Sequence, residues 1–203
     1  MTLRRLGHRL LRPRHAMKSL LLCTIMVTAG MGLSMRAQAA APAHFALTSP
    51  TIRTGNAMPA ENVGHRDGCH GGNQSPALAW SHAPEGTASY AVSMADLDAK
   101  VGVVWLWLMF NLPPTTASLP ANAAADATLM PGGADQSRNG FDTIGYSGPC
   151  PKGKIPHHYL ITIWALDAAH LSFKDGTPAQ TVAIFLRRHA LGHASLTPHY
   201  GLH

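Results

Sequence analysis

Residues 101–112 read Val-Gly-Val-Val-Trp-Leu-Trp-Leu-Met-Phe-Asn-Leu, an almost unbroken apolar run that stops at Pro113-Pro114. Two tryptophans and the lack of any apolar/polar alternation predict a strand buried on both faces. Such a strand needs a layer of structure on either side, so it must lie inside a layered domain. Residues 77–81 and 89–95 are further strand candidates, alternating apolar and small residues between turn signals at Ala83-Pro84-Glu85-Gly86 and Asp96. Residues 45–49 predict a first strand and 159–166 a final one. One segment has helical periodicity: after Pro178, residues 179–193 place Val182, Phe185, Leu186 and His189 on one face, with Arg187 and Arg188 turned away. The expected class is mainly β, an antiparallel β-sandwich with a C-terminal peripheral helix.

Two connections, 56–73 and 117–154, are rich in glycine and polar residues and predict long surface loops. Loops of that length in a compact domain usually have a task, and a rigid sheet presenting functional loops is the default expectation.

The first 39 residues predict a removable export signal. Arg4, Arg5, Arg9, Arg12, Arg14 and Lys18 precede an apolar run over 20–33, and Ala37-Gln38-Ala39 supplies a small-x-small cleavage site. The run is shorter than the roughly 20 apolar residues a membrane span needs, and Arg36 ends it. Cys23 follows Leu22 where lipid attachment wants a small residue, which argues against a lipoprotein. The expected organisation is therefore signal peptide 1–39 and one folded domain 40–203, periplasmic or secreted, with no span left after cleavage. The leader holds seven of the sixteen Lys and Arg and none of the ten acidic residues, so its removal takes the formal charge from +6 to −1. A nucleic-acid role loses its electrostatic basis. Cleavage also discards Cys23 and leaves Cys69 and Cys150, an even number in an oxidising compartment. They either form a disulfide or stay as two separate buried thiols.

Chemistry-bearing residues gather at two places. Asp96-Leu97-Asp98-Ala99 closes a predicted strand; at a turn its two carboxylates can diverge, one facing a pocket and one capping the turn. Gly148-Pro149-Cys150-Pro151-Lys152-Gly153 is a loop with few adjustable joints that leads into His157-His158-Tyr159. Strand alternation puts His157 and Tyr159 on one face and His158 on the other. Other chemistries are weakly supported. His189 and His193 have the i, i+4 spacing that can seat zinc on a helix, but there is no His-Glu-x-x-His and no cysteine pair spaced for a metal. Ser75, Ser93 and Ser147 lie near turns, and none stands in a Gly-x-Ser-x-Gly elbow. No cofactor and no metal are expected.

Six ordered segments carry a resemblance that covers nearly all of residues 40–203. They are 72–80, the Asp96 to Ala99 turn, Trp107 through Asn111 to Pro113, Gly145-Tyr146-Ser147-Gly148-Pro149-Cys150-Pro151, His157-His158-Tyr159, and 189–200. The chain resembles the phosphatidylethanolamine-binding protein family, in its bacterial, Raf kinase inhibitor-like branch. The resemblance implies a β-sandwich with a small preformed anion pocket, lined by Asp96, Pro149, His157 and Tyr159. Four positions depart from the family pattern: Leu97 and Lys100 replace prolines of the Asp-x-Asp-Ala turn, Lys152 replaces another, and Leu106 occupies the place of a pocket histidine. Leucine there removes a hydrogen-bond donor and adds apolar surface.

The expected function is a non-enzymatic, exported binding protein for a small anionic ligand or phospholipid head group. The alternatives are an inhibitor of a protein target, a protease or kinase, contacting it through loops 120–145, and a hydrolase or metalloenzyme built on the histidines.

Overall fold

The computed structural model describes residues 44–153 and 155–201; the expected leader, 1–39, lies outside them. In chain order the described residues form β1 (Ala46–Thr48), a 3-10 turn (Ala60–Asn62), β2 (Leu78–Ser81), β3 (Ser89–Asp96), β4 (Val104–Leu112), β5 (Ser118–Leu119) and β6 (Asp135–Gln136). They continue with β7 (His157–Leu166), α1 (Ala179–His189), β8 (Ala190–Leu196) and β9 (His199–Tyr200). A small sheet runs β1-β2-β5. A large sheet runs β6-β4-β3-β7-β8, with β9 pairing the start of β7. All the pairings between these strands are antiparallel.

The apolar run at 101–112 finds its two layers. One face of β3, β4 and β7 contributes Tyr90, Val92, Met94, Trp107, Met109, Ile161 and Ile163 to a core closed by Leu47, Leu78, Trp80 and Leu119 of the small sheet. The other face contributes Ala91, Leu108, Phe110 and Leu166 to a second core, closed by Ala179, Val182, Ala183 and Leu186 of α1. The domain is thus a sandwich of two sheets with a helix packed on the outside of the larger one. Each fully buried large side chain in these layers contributes about 1.5–3 kcal/mol relative to exposure.

Three expectations change. The apolar run does not enter the sheet at its beginning: Val101 and Val103 are exposed and β4 starts at Val104. Gly102, at φ 93°, makes the turn with its N–H on the Ala99 carbonyl, and composition alone cannot show such a turn. The helix stops at His189 instead of reaching 193, and the strand expected to be last, β7, is followed by β8 and β9. Over 190–196 burial alternates residue by residue, as in a half-covered strand. Gly192 lets that strand pass against Pro84, since a Cβ there would come within 2.8 Å of the proline Cγ. Finally, the connection 56–73 is not a surface loop throughout. Met58, Asn62, Val63 and Cys69 are buried, and its backbone pairs with itself through Gly71 N–H to Gly64 O at 2.9 Å and Asn73 N–H to Val63 O at 2.8 Å. The connection 117–154 is likewise no surface loop throughout, since it carries β5 and β6 and buries Leu119, Ser137 and Tyr146.

Candidate ligand cleft at the end of the large sheet

In the β3–β7 register Asp96 stands opposite Tyr159, which makes His157 the diagonal neighbour of Asp96 on the same face. Its Nδ1 lies 2.8 Å and 3.0 Å from the two oxygens of Asp96. The carboxylate is held from behind, because Oδ1 also accepts the Asp98 N–H at 2.9 Å. Asp96 therefore both caps the turn and holds the imidazole, while both side chains are largely buried. With Nδ1 committed to the carboxylate, Nε2 is the nitrogen left for a ligand; it makes no hydrogen bond to the described residues.

One residue further along, the geometry repeats on the outer side. Asp98 Oδ2 accepts the His158 N–H at 2.7 Å and stands 2.8 Å from His158 Nδ1. The backbone bond and then the side-chain bond from His158 hold the Asp98 carboxyl below the usual carboxylate range. The alternation expected for His157, His158 and Tyr159 is observed: His157 and Tyr159 stack at 6.5 Å between centroids and 24° between planes.

The Asp96–His157 pair lies in the wall of a cleft of about 490 Å³, together with Asp67, Lys100, Val101, Val104, Phe141, Cys150, Pro151 and Lys152. A second cleft of about 500 Å³ adjoins it, lined by Asp98, His158, Ile155 and Pro156 and sharing Lys100, Lys152 and His157 with the first. Neither lysine lies within 4.0 Å of a carboxylate among the described residues. The loop behind the first cleft is fixed at several points. A disulfide joins Cys69 to Cys150, with Cα atoms 6.0 Å apart. Pro149 O accepts the Gly64 N–H at 2.9 Å, and Gly148 N–H donates to the Asn73 side chain at 2.8 Å. Gly148 allows this contact, because a Cβ there would fall 2.5 Å from Asn62 O. At the rim, the Arg66 guanidinium sits 3.9 Å over the Phe141 ring.

Of the residues nominated from sequence, Asp96, His157 and Cys150 line the cleft, whereas Pro149, Tyr159, Cys69 and Leu106, the last expected at a pocket position, do not. Pro149 is buried in the loop behind it. Tyr159 is 1% exposed, its hydroxyl is buried with no hydrogen-bond partner among the described residues, and burial, then the nearby Asp96 charge, pushes its pKa up. Leu106 is 2% exposed and belongs to the sandwich core. Met94 pairs with Trp107 and Ala95 with Trp105, which leaves Leu106 as the extra residue of a β-bulge.

A sequence profile of the phosphatidylethanolamine-binding protein family matches residues 48–201. The chain belongs to that family. It is 39% identical to YbcL of Escherichia coli over 187 residues, which span 91% of this chain and 98% of YbcL. The crystal structure of YbcL, described as a new member of the mammalian PEBP family, superposes with a TM-score of 0.76 over 79% of this chain and all of the chain in that crystal structure. LppC of Mycobacterium tuberculosis, whose assigned name is that of a lipoprotein, is 33% identical over 159 residues, covering 77% of this chain and 73% of LppC.

Several cleft residues of this family member escaped the sequence reading: Asp67, Val101, Val104 and Phe141. The signal for the first was present. Asp67 lies two residues before Cys69, and pairing Cys69 with the loop cysteine would have brought it to the cleft. The metal alternative loses its geometry, since His193 stands on β8 against the Trp164 ring while His189 Nδ1 meets Asp167 at 2.8 Å. Among the described residues no three His, Cys, Asp or Glu gather as a metal site. Ser75, Ser93 and Ser147 are bonded to Ala124 N–H, the Trp164 indole and the Asn139 amide respectively, and none to an imidazole.

Proposed function

We propose that residues 40–203 form an exported binding domain whose cleft takes a small phosphate-type anion or phospholipid head group without turning it over. The observation that carries this reading is the His157 imidazole, fixed at Nδ1 by largely buried Asp96, open at Nε2, and accompanied in the same cleft by Lys100 and Lys152. Two ammonium groups and the free ring nitrogen of an oriented imidazole, gathered in one cleft, suit a phosphate group. Cleft walls of Val101, Val104 and Phe141 suit the uncharged part of a ligand. Binding without turnover is supported by the hydrogen bonding of the dyad: the imidazole is oriented by Asp96, and among the described residues no hydroxyl is hydrogen-bonded to it. Export is supported by the signal-like first 39 residues and by the likeness to a protein carrying a lipoprotein name.

Titration with inorganic phosphate and with phosphoethanolamine, followed by NMR of the His157 ring and the 148–153 amides, tests the reading. Saturable shifts at both places are expected, and His157→Gln should remove them. Absence of shifts at millimolar ligand in the wild type would refute it.

A further inference from the structure

The two most exposed large aliphatic side chains of the described residues stand on the walls of the two clefts: Val101 at 88% and Ile155 at 78%. They come from different segments, Val101 from the turn between β3 and β4 and Ile155 from the loop that enters β7. Leu97 and Val103, in the same turn as Val101, are exposed as well. Aliphatic residues exposed singly need no explanation, but a group around the mouth of a cavity does. The charges between them fit together. Lys100 adjoins Val101 in sequence, Lys152 precedes Ile155 by three residues, and both side chains line both clefts with no carboxylate of the described residues within 4.0 Å. Of the acidic groups in the cleft walls, Asp96 and Asp98 each face an imidazole, and Asp67 remains.

We propose that this end of the large sheet docks on the face of an anionic lipid bilayer, with Val101 and Ile155 entering between head groups and Lys100 and Lys152 meeting phosphates. Charge decides the occupant. Unpaired ammonium groups set between aliphatic tips match a layer that offers phosphate and hydrocarbon a few ångströms apart. The tips also project from two turns instead of lining a closed apolar groove, as a soft interface accepts. Docking shares Lys100, Lys152 and Val101 with the head-group cleft but needs neither Asp96 nor His157, so the inference goes beyond the function proposed above and does not require a filled cleft.

Hydrogen exchange of the full chain, alone and with vesicles, locates the contact by residue and so separates it from any contact made by residues 1–39. Vesicles of equimolar phosphatidylglycerol and phosphatidylcholine should slow the amides of 97–103 and 152–155 several-fold, and vesicles of phosphatidylcholine alone should not. The double variant Val101→Ser with Ile155→Ser, at two solvent-facing positions, should lose that protection while keeping the wild-type circular dichroism spectrum. Protection absent from these segments, equal with the neutral vesicles, or unchanged in the double variant overturns the proposal. Phosphate titration at His157 is a separate readout, so failure of the cleft to bind phosphate leaves this test intact.

Discussion

Asp98 accepts two hydrogen bonds from His158, and the one from the backbone N–H is the largest single cause lowering its pKa from 3.8, ahead of the bond from the ring. A carboxyl lowered on folding stabilises the native state above its unfolded pKa, and that contribution is lost as pH falls through the lower, folded value. The pair is exposed and screened, so its effect on stability is small and the informative quantity is the titration itself. His158→Ala removes the ring and keeps the N–H. Carboxyl-carbon NMR should therefore find Asp98 below 3.8 in the wild type and only partly restored in the variant; full restoration would show that the ring carries the shift. One residue on, Tyr159 poses the opposite problem, a buried hydroxyl with no partner. An unsatisfied buried hydroxyl costs about 1–3 kcal/mol, so Tyr159→Phe should raise the urea midpoint at unchanged m by about 1 kcal/mol of stability. A drop in the midpoint would mean that the hydroxyl has a partner in solution.

The disulfide binds two connections that the sequence presents only as loops. It closes 81 residues of chain, from the buried segment before β2 to the loop before β7. Constraint of the unfolded chain by a loop of that length corresponds to about 4 kcal/mol. Cys69→Ser with Cys150→Ser should lower unfolding stability by roughly that order. It should also weaken any phosphate response at His157, because Cys150 is part of the cleft wall; equal stability of variant and wild type in denaturant would rule out the constraint. The strands were legible because burial on two faces leaves a continuous apolar run, and Asp96, His157 and His158 were legible because they close and open neighbouring strands. The end of α1 was not. Ala190 and Ala194 can share a helix face or, with Leu196, the covered face of a strand, and what decides is the pairing of 190–196 with β7, a long-range contact. The start of β4 failed for a related reason: hydropathy records that Val101 and Val103 are apolar, not that a turn at Gly102 holds them outside.

For the whole molecule, sequence pattern reached furthest where local and global demands agree, in the sandwich and its family resemblance, and least where cleft residues are collected from distant loops. Asp67 and Phe141 are far apart in sequence and reach one wall through the Cys69–Cys150 link and the stacking of Arg66 on Phe141. That link also ties the fold to the compartment, since such a bond persists where the surroundings are oxidising. If residues 1–39 direct export, protein recovered from the periplasm of a bacterial host should begin at Ala40 and be lighter by two hydrogens than the reduced chain from that residue. A version lacking 1–39 and kept in a reducing cytosol should carry two free thiols and unfold at lower denaturant, matching the double serine variant. Intact mass and thiol counting read both forms. An unprocessed periplasmic chain would remove the case for the leader, and a reduced chain as stable as the exported one would separate the fold from its compartment.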